Sequence, residues 1–173
     1  MPEALVQVVN EHDEPVAEAT KQELWSRGLI HRIVRVVVED TAGRILLQKR
    51  ALHKQPHPDC WDVSASGHVD AGETYEPAAY RELQEELGVI GVVLVRLGKY
   101  RSNVELEGRK LNRFNMVYQT TLQDTSQVVL EDDDVAEVRW YTLDEIRELI
   151  AQAPQQVTTG LKEVMKRYYS NQA

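Results

Sequence analysis

A single cysteine, Cys60, stands among 173 residues, so no disulfide can form within the chain, and such sparse usage suits a reducing compartment. Beside Trp61 it reads as a small, half-buried side chain rather than a nucleophile. Long apolar runs are missing too. No segment reaches the ~20 residues that span a membrane, and the acidic opening "MPEALVQVVNEHDEPVAEAT" lacks the apolar centre of a secretory signal. Basic residues are in the minority: 20 lysines and arginines against 28 aspartates and glutamates give a formal net charge of -8. Such a surface repels nucleic acid and anionic membrane on average. Cysteine or histidine pairs at zinc spacing are absent, as are repeats, linkers and low-complexity segments. What remains is a cytoplasmic enzyme or binding protein whose partner is a small molecule, with no nucleic acid and no membrane. A small anionic substrate is still compatible with the net charge where a local basic or metal-bearing site receives it.

The length suits one domain, 1–173, with enough chain to bury a core. "ALVQVVN" reads as a strand, "EHDEP" as a turn and "VAEAT" as a return strand. "KQELWSRG" is a short helix stopped by Gly28. These elements form an N-terminal hairpin and helix extension over 1–30. From residue 31, "HRIVRVVVED" and "RILLQKR" are β-rich runs joined through "TAG". "ALHKQPHPDC" is a loop, "WDVSAS" a short strand and "GHVDAGE" a glycine-bearing loop. Residues 74–87 form a helix, with Thr74 at the N-cap, Pro77 in the first turn and Gly88 as the stop. "VIGVVLVRLGKYRS" and "KLNRFNMVYQTTL" are strands, "LEDDD" an acidic loop, and "VAEVRWYTL" a strand leading into helix "LDEIRELIAQA"; helix "VTTGLKEVMKRYYS" follows. The class is α+β, a mixed sheet sandwiched by helices.

One stretch, "GHVDAGETYEPAAYRELQEELGV" at 67–89, crowds like charge. On a helical wheel Glu82, Glu85 and Glu86 stand at i, i+3 and i+4 and share a face. Tyr80, Leu83 and Leu87 form a neighbouring face suited to a sheet. Arg81 can pair with Glu85, yet each like-charge contact costs roughly 0.2–0.5 kcal/mol. An acidic helix face is ordinarily a solvated one. The loop before it argues for more. Its glycines let backbone approach a ligand closely, and a carbonyl with several carboxylates is a hard-oxygen set of the kind that holds Mg2+ or Mn2+.

The same stretch matches every required position of the signature G-x5-E-x7-R-E-U-x-E-E-x-G-U of the Nudix hydrolases, where U is a bulky aliphatic. The matching residues are Gly67, Glu73, Arg81, Glu82, Leu83, Glu85, Glu86, Gly88 and Val89. From residue frequencies a chance match in one window is on the order of 10⁻⁹. "RVVVEDTAGRILLQKR" and "VAEVRWYTLDEI" also resemble the family's flanking elements, so the resemblance covers most of the chain. It implies a Nudix α/β/α sandwich with its core over 31–173. It also implies metal-dependent hydrolysis of a diphosphate joined to some group X, by water attack on phosphorus. Glu82, Glu85 and Glu86 match the metal-binding glutamates, and Gly67 the glycine whose carbonyl often joins them. Glu73 and Arg81 match residues that brace the motif by ion pairing. Glu86 or Glu85 is the candidate general base; Glu105, Glu107 and the acidic loop Glu131, Asp132, Asp133 and Asp134 are candidates outside the motif, where charged residues are ordinarily solvated.

"QKRALHKQPHPDCWDVSASGHV" and the hairpin "VVNEHDEPV" resemble the branch that contains isopentenyl-diphosphate isomerase. In that branch an arginine and a lysine spaced like Arg50 and Lys54 help hold the diphosphate, and His31 and His68 match two metal-binding histidines. This chain departs from the isomerase where chemistry is concerned. Ser66 stands where a cysteine is needed, the acidic pair falls near Leu111 and Arg113, and a third histidine is replaced near Leu24 or Trp25. Hydrolysis is the stronger expectation, with the isomerase and a non-catalytic nucleotide sensor as alternatives. Arg50, Lys54, Arg113 and His68 are the substrate-binding candidates, drawn partly from the basic run Lys99, Arg101, Arg109, Lys110 and Arg113. Tyr100, Phe114 and Tyr118 are candidates to stack a base, though strand aromatics are more often core. A nucleoside di- or triphosphate is the first substrate class, an isoprenoid diphosphate the second. The N-terminal hairpin or the apolar faces of the C-terminal helices either mediate a homodimer or complete the monomer core.

Overall fold

The structure, a computed structural model, describes residues 4–172, so residues 1–3 and 173 of the expected domain lie outside the described residues. In chain order it comprises β1 (Val6–Val9), β2 (Pro15–Ala19), α1 (Lys21–Arg27), β3 (His31–Asp40), β4 (Ile45–Arg50), β5 (Trp61–Asp62) and β6 (Ala65–His68). There follow α2 (Tyr75–Leu87), β7 (Val95–Leu106), β8 (Arg109–Leu122), β9 (Val135–Tyr141), α3 (Leu143–Gln152) and α4 (Thr159–Tyr168).

β3 organises the sheet. On one edge it runs parallel to β8 for its whole length, from His31↔Arg113 to Asp40↔Leu122. Its other edge is shared by three antiparallel strands: β1 at Val8↔His31, β6 opposite Ile33 to Val36, and β4 at Glu39↔Ile45. Both faces of such a strand are covered, which explains why "HRIVRVVVED" reads as a β-branched run without alternation. β7 and β2 extend the sheet beyond β8 and β1, while β4 carries β9 and β5.

Alternate residues of β3 feed two cores. Val34, Val36 and Val38 pack with Ala79, Leu83 and Leu87 of α2. Val37, with Val117 of β8, packs against Ile146 of α3 and Leu161 and Val164 of α4. Each large aliphatic side chain fully buried in this way is worth about 1.5–3 kcal/mol. The outcome is the expected α/β/α sandwich around a mixed sheet. The apolar faces of α3 and α4 complete its second core. α2 stops at Gly88, whose φ of 66° places it in the left-handed region and whose N–H donates to Gln84 O at 2.9 Å. Thr74 precedes the helix in extended backbone but makes no capping hydrogen bond.

The N-terminal hairpin has its own small cluster of Val6, Val8, Ala19 and Leu24. It is tied to the rest by Asp13 at its turn. The Asp13 carboxylate accepts from Arg32 Nε at 2.7 Å, Tyr75 OH at 2.8 Å and Lys99 Nζ at 2.7 Å, joining β3, α2 and β7 at one point. Burial works to raise the Asp13 pKa, but Lys99, Arg32 and Tyr75 together outweigh it and hold the carboxyl below its ordinary range.

Several local expectations are corrected. "WDVSAS" is not one strand: β5 pairs with β4, and the chain then crosses at Val63 and Ser64 so that β6 pairs with β3. A change of pairing partner leaves no mark on hydrophobic pattern. β6 also continues through Gly67 and His68, which were expected in a loop. Residues 89–94 lie outside any strand, and β7 begins only at Val95. Tyr100 and Tyr118 are 7% and 6% exposed and belong to the two cores, so neither is free to stack a base. Lys99 and Arg101 turn away from any cleft, toward Asp13 and Glu11 of the hairpin. Cys60 is buried rather than half-buried.

Replacing Asp13 by alanine strands Arg32, which is 9% exposed, and frees the hairpin from three elements at once. Asp13→Ala is expected to cost about 3 kcal/mol, read as a lower urea midpoint with an unchanged denaturant slope.

Candidate active site

β3 and β4 pair at Glu39↔Ile45 and then diverge. Ser64 closes the narrow end of the gap, accepting from Val38 N at 2.7 Å and donating to Leu46 O at 2.5 Å. A cleft of about 670 Å3 opens beyond it. Gly67, His68, Arg81, Glu82, Glu85, Glu86, Arg50, Lys54 and Arg113, all singled out in the sequence, line this one cleft. Glu73 is behind the lining, holding Arg81. Asp132 and Asp134 of the acidic loop reach the rim, whereas Glu105 and Glu107 do not line the cleft.

One wall is acidic and is built from α2 against β6. Arg81 is its hub. Its Nε and Nη2 donate to the two oxygens of Glu73 at 3.0 and 2.8 Å, and Nη2 also donates to His68 O at 3.0 Å. Nη1 donates to Glu82 at 2.7 Å and Glu85 at 3.3 Å. The Glu73 hydrogen bonds, with Glu82 beside them, hold the Arg81 pKa above its ordinary value. Glu86 is 6% exposed and accepts from Gln48 Nε2 at 2.6 Å and Ser66 N at 3.0 Å through the same oxygen. Burial, with Glu82 nearby, pushes its pKa up to about 8. Burial also raises Glu82, against the pull of Arg81. Gly67 is required by contact: a Cβ there would lie 2.0 Å from the Glu82 carboxyl carbon.

The other wall is basic. Arg50 donates through Nε to Pro56 O and His57 O, each at 3.2 Å, and so folds the 51–60 loop over the cleft. Lys54 reaches Asp134, and His53 Nε2 meets the same carboxylate at 2.7 Å. Arg35, Asp62 and Gln48 also belong to the site but were read only as strand. A signal existed for Arg35: an arginine inside the apolar run "HRIVRVVVED" needs a partner or a ligand. Nothing in spacing marks Gln48 or Asp62.

A hard divalent cation fits the acidic wall. The available donors are oxygens, and the half-buried Glu82 disfavours charge on the buried Glu86. As they stand, no three His, Cys, Asp or Glu side chains among the described residues gather closely enough to grip an ion. Arg81 donates to both Glu82 and Glu85, so a cation at these carboxylates would compete with its guanidinium. His31 and His68 do stack, with ring centroids 5.3 Å apart and both Nε2 atoms buried without partners. Among the described residues no carboxylate joins them, and Arg113 stands in register beside His31.

Comparison with known proteins agrees with this geometry. A family model described as NUDIX domain matches residues 29–167. The chain is 31% identical over 166 residues to isopentenyl-diphosphate Delta-isomerase 2 of Photorhabdus laumondii, covering 95% of this chain and 92% of that protein. It is also 31% identical over 168 residues to the uncharacterized Nudix hydrolase YfcD of Escherichia coli K12, covering 97% and 90%. Among solved structures, the crystal structure of DR0079 from Deinococcus radiodurans superposes with a TM-score of 0.79 at 26% identity, covering 95% of this chain and 99% of that one.

The raised Glu86 pKa makes metal-free stability depend on pH. An acid whose folded pKa lies above its unfolded value of 4.5 stabilises the fold fully below that value and loses the contribution as pH rises to about 8. His31, lowered to about 4 by burial, acts in the opposite sense, but only up to its ordinary 6.5. Between pH 6.5 and 8.5 in EDTA the urea midpoint is therefore expected to fall, and Glu86→Gln to shrink that fall. A second expectation concerns Gly67→Ala, which must displace Glu82 and so weaken divalent-ion binding by more than tenfold in calorimetry, about the effect of losing one ligand's support.

Proposed function

The chain belongs to the NUDIX family and is a hydrolase, and from that premise we propose that it cleaves the diphosphate linkage of an X-diphosphate with the help of Mg2+ or Mn2+. Gly67, Glu82, Glu85 and Glu86 would hold the cation. The observation that carries this reading is the buried Glu86 beside Glu82, a charge arrangement unfavourable in the protein alone and favourable once a cation arrives.

When bound, the divalent ion supplies neutralisation of phosphate charge and acidification of water. The protein's own side chains do the rest. Arg50 and Lys54, on the basic wall, orient the diphosphate. Glu85 is exposed and held only by Arg81 at 3.3 Å, so it is free to accept the proton of the attacking water. Glu86, buried and fixed by Gln48 and Ser66, suits holding the ion rather than shuttling a proton. Nucleoside di- and triphosphates are the first substrate class. A cytoplasmic setting suits the free Cys60.

The isomerase name of one relative, with the stacked His31 and His68, favours a second reading in which prenyl diphosphates are isomerised. Against it, Ser66 is a far weaker acid than the cysteine it replaces, and neither Leu111 nor Arg113, near which the acidic pair would fall, is acidic. A silent nucleotide sensor is disfavoured by the complete glutamate set.

Glu82→Gln and Glu86→Gln are each expected to lower phosphate or pyrophosphate release by about a thousandfold with the fold intact, and EDTA to stop it. The assay is a screen over nucleotides, nucleotide sugars, dinucleoside polyphosphates and prenyl diphosphates. Release that persists in EDTA, or in both variants, refutes the metal role.

A further inference from the structure

The basic wall carries more positive charge than its own residues satisfy. Strand register puts Arg113 beside His31 and Asn115 beside Ile33, and alternation aims these side chains to the same face as Arg35. Arg35 donates to Asn115 Oδ1 at 3.1 Å and lies 3.7 Å from Asp62. Arg50 lies 3.9 Å from the same carboxylate. Both separations are longer than a hydrogen bond, and Asp62 Oδ1 already accepts from Val63 N and Thr158 Oγ at 2.8 Å each. Arg113 has less still. It is 9% exposed, lines the cleft, and its Nε has no hydrogen-bond partner among the described residues.

An unpaired guanidinium in such a place is costly, and its planar fork matches a carboxylate or phosphate. Its place in the sheet says which part of a substrate would reach it. β8 lies two strand spacings, roughly 10 Å, from β6, where Gly67 faces Glu82. Arg113 thus rises from beyond β3, beside the His31 end of the cleft, while Arg50 rises from β4 on the other arm of the fork. Arg50 and Lys54, on the β4 side, remain for the diphosphate.

We infer that Arg113 is a specificity-determining residue that receives a second oxyanion, carried by X, so that the cleft selects diphosphates with a charged X group over those with a neutral alkyl one. This rests on the reading of the cleft as a diphosphate-hydrolysing site. It also accounts for the unpartnered histidines: the end of the cleft that His68 lines beside Arg113 suits an anion and not a second metal.

The test has two arms. In EDTA, inorganic phosphate is titrated into the full chain by calorimetry. Arg113→Met is expected to weaken binding by about ten- to a hundredfold, the range of a charge-assisted hydrogen bond, and Arg113→Lys to restore part of it. Arg113→Gln serves in place of the methionine variant if the latter fails to fold. Equal phosphate affinity in the wild type and the neutral variant overturns the inference. In the second arm, metal-loaded enzyme is assayed with 5-phosphoribosyl 1-diphosphate, whose X group is charged, and with isopentenyl diphosphate, whose X group is neutral. The wild type is expected to prefer the first, and Arg113→Met to lose several-fold more kcat/KM on the first than on the second. A loss shared equally by both substrates means that Arg113 holds the diphosphate itself, and overturns the inference. Phosphate binding that depends on Arg113 without turnover of any diphosphate upholds the anion site and refutes the hydrolase reading instead.

Discussion

The guanidinium of Arg81 is the interaction on which the site depends. It meets Glu73, Glu82 and Glu85 and the carbonyl of His68, and so fastens α2 to the end of β6. Without it the helix would present three carboxylates to one another across a single face, and the loop before the helix would be left with its ties to the N-terminal strand and its own turn. Five donors in a rigid plane make this bridging possible where a lysine's point charge would not. The arrangement also leaves Glu86 outside the arginine's reach, buried and poorly disposed to carry charge. Stability and metal affinity are thus opposed at one residue, a common feature of functional sites.

The cleft itself comes from how the sheet divides. β3 gives up β4 after one register pair, and β6 takes its place along the same edge. Ser64 satisfies the backbone groups exposed at the fork, with Val38 N and Leu46 O as its partners. Gln48 and Ser66 then point buried donors at Glu86 from the two separated arms. One carboxylate therefore reads the spacing of both halves of the sheet, which ties the geometry of the acidic wall to the integrity of the fork.

Legibility in the sequence follows from how local each feature is. The acidic wall is one continuous stretch, and helical periodicity alone puts Glu82, Glu85 and Glu86 on a shared face. The valine-rich β3 was equally plain, because burial on both faces writes a run of β-branched residues. The crossing at Val63 and Ser64 was not legible, since switching partners changes no side-chain pattern. The Asp13 clamp was also hidden: "NEHDEP" reads as a turn, and its three partners lie 19, 62 and 86 residues away. Tyr100 and Tyr118 misled for a related reason. A strand aromatic is the same letter whether it faces a core or a ligand, and only the packing of α2 and α4 decides.

The two walls differ in the same way, and this separates reaction from substrate. The residues proposed to hold a cation and place a water lie within one loop and helix, so a short motif carries them together. The basic residues of the cleft, Arg35, Arg50 and Arg113, come from β3, β4 and β8, remote in sequence and joined only by register. A substitution there leaves the motif untouched while changing the charge that lines the cleft. The sheet can therefore change the lining of the cleft without disturbing the motif. Relatives that share this fold and carry isomerase and hydrolase names are consistent with that division of labour.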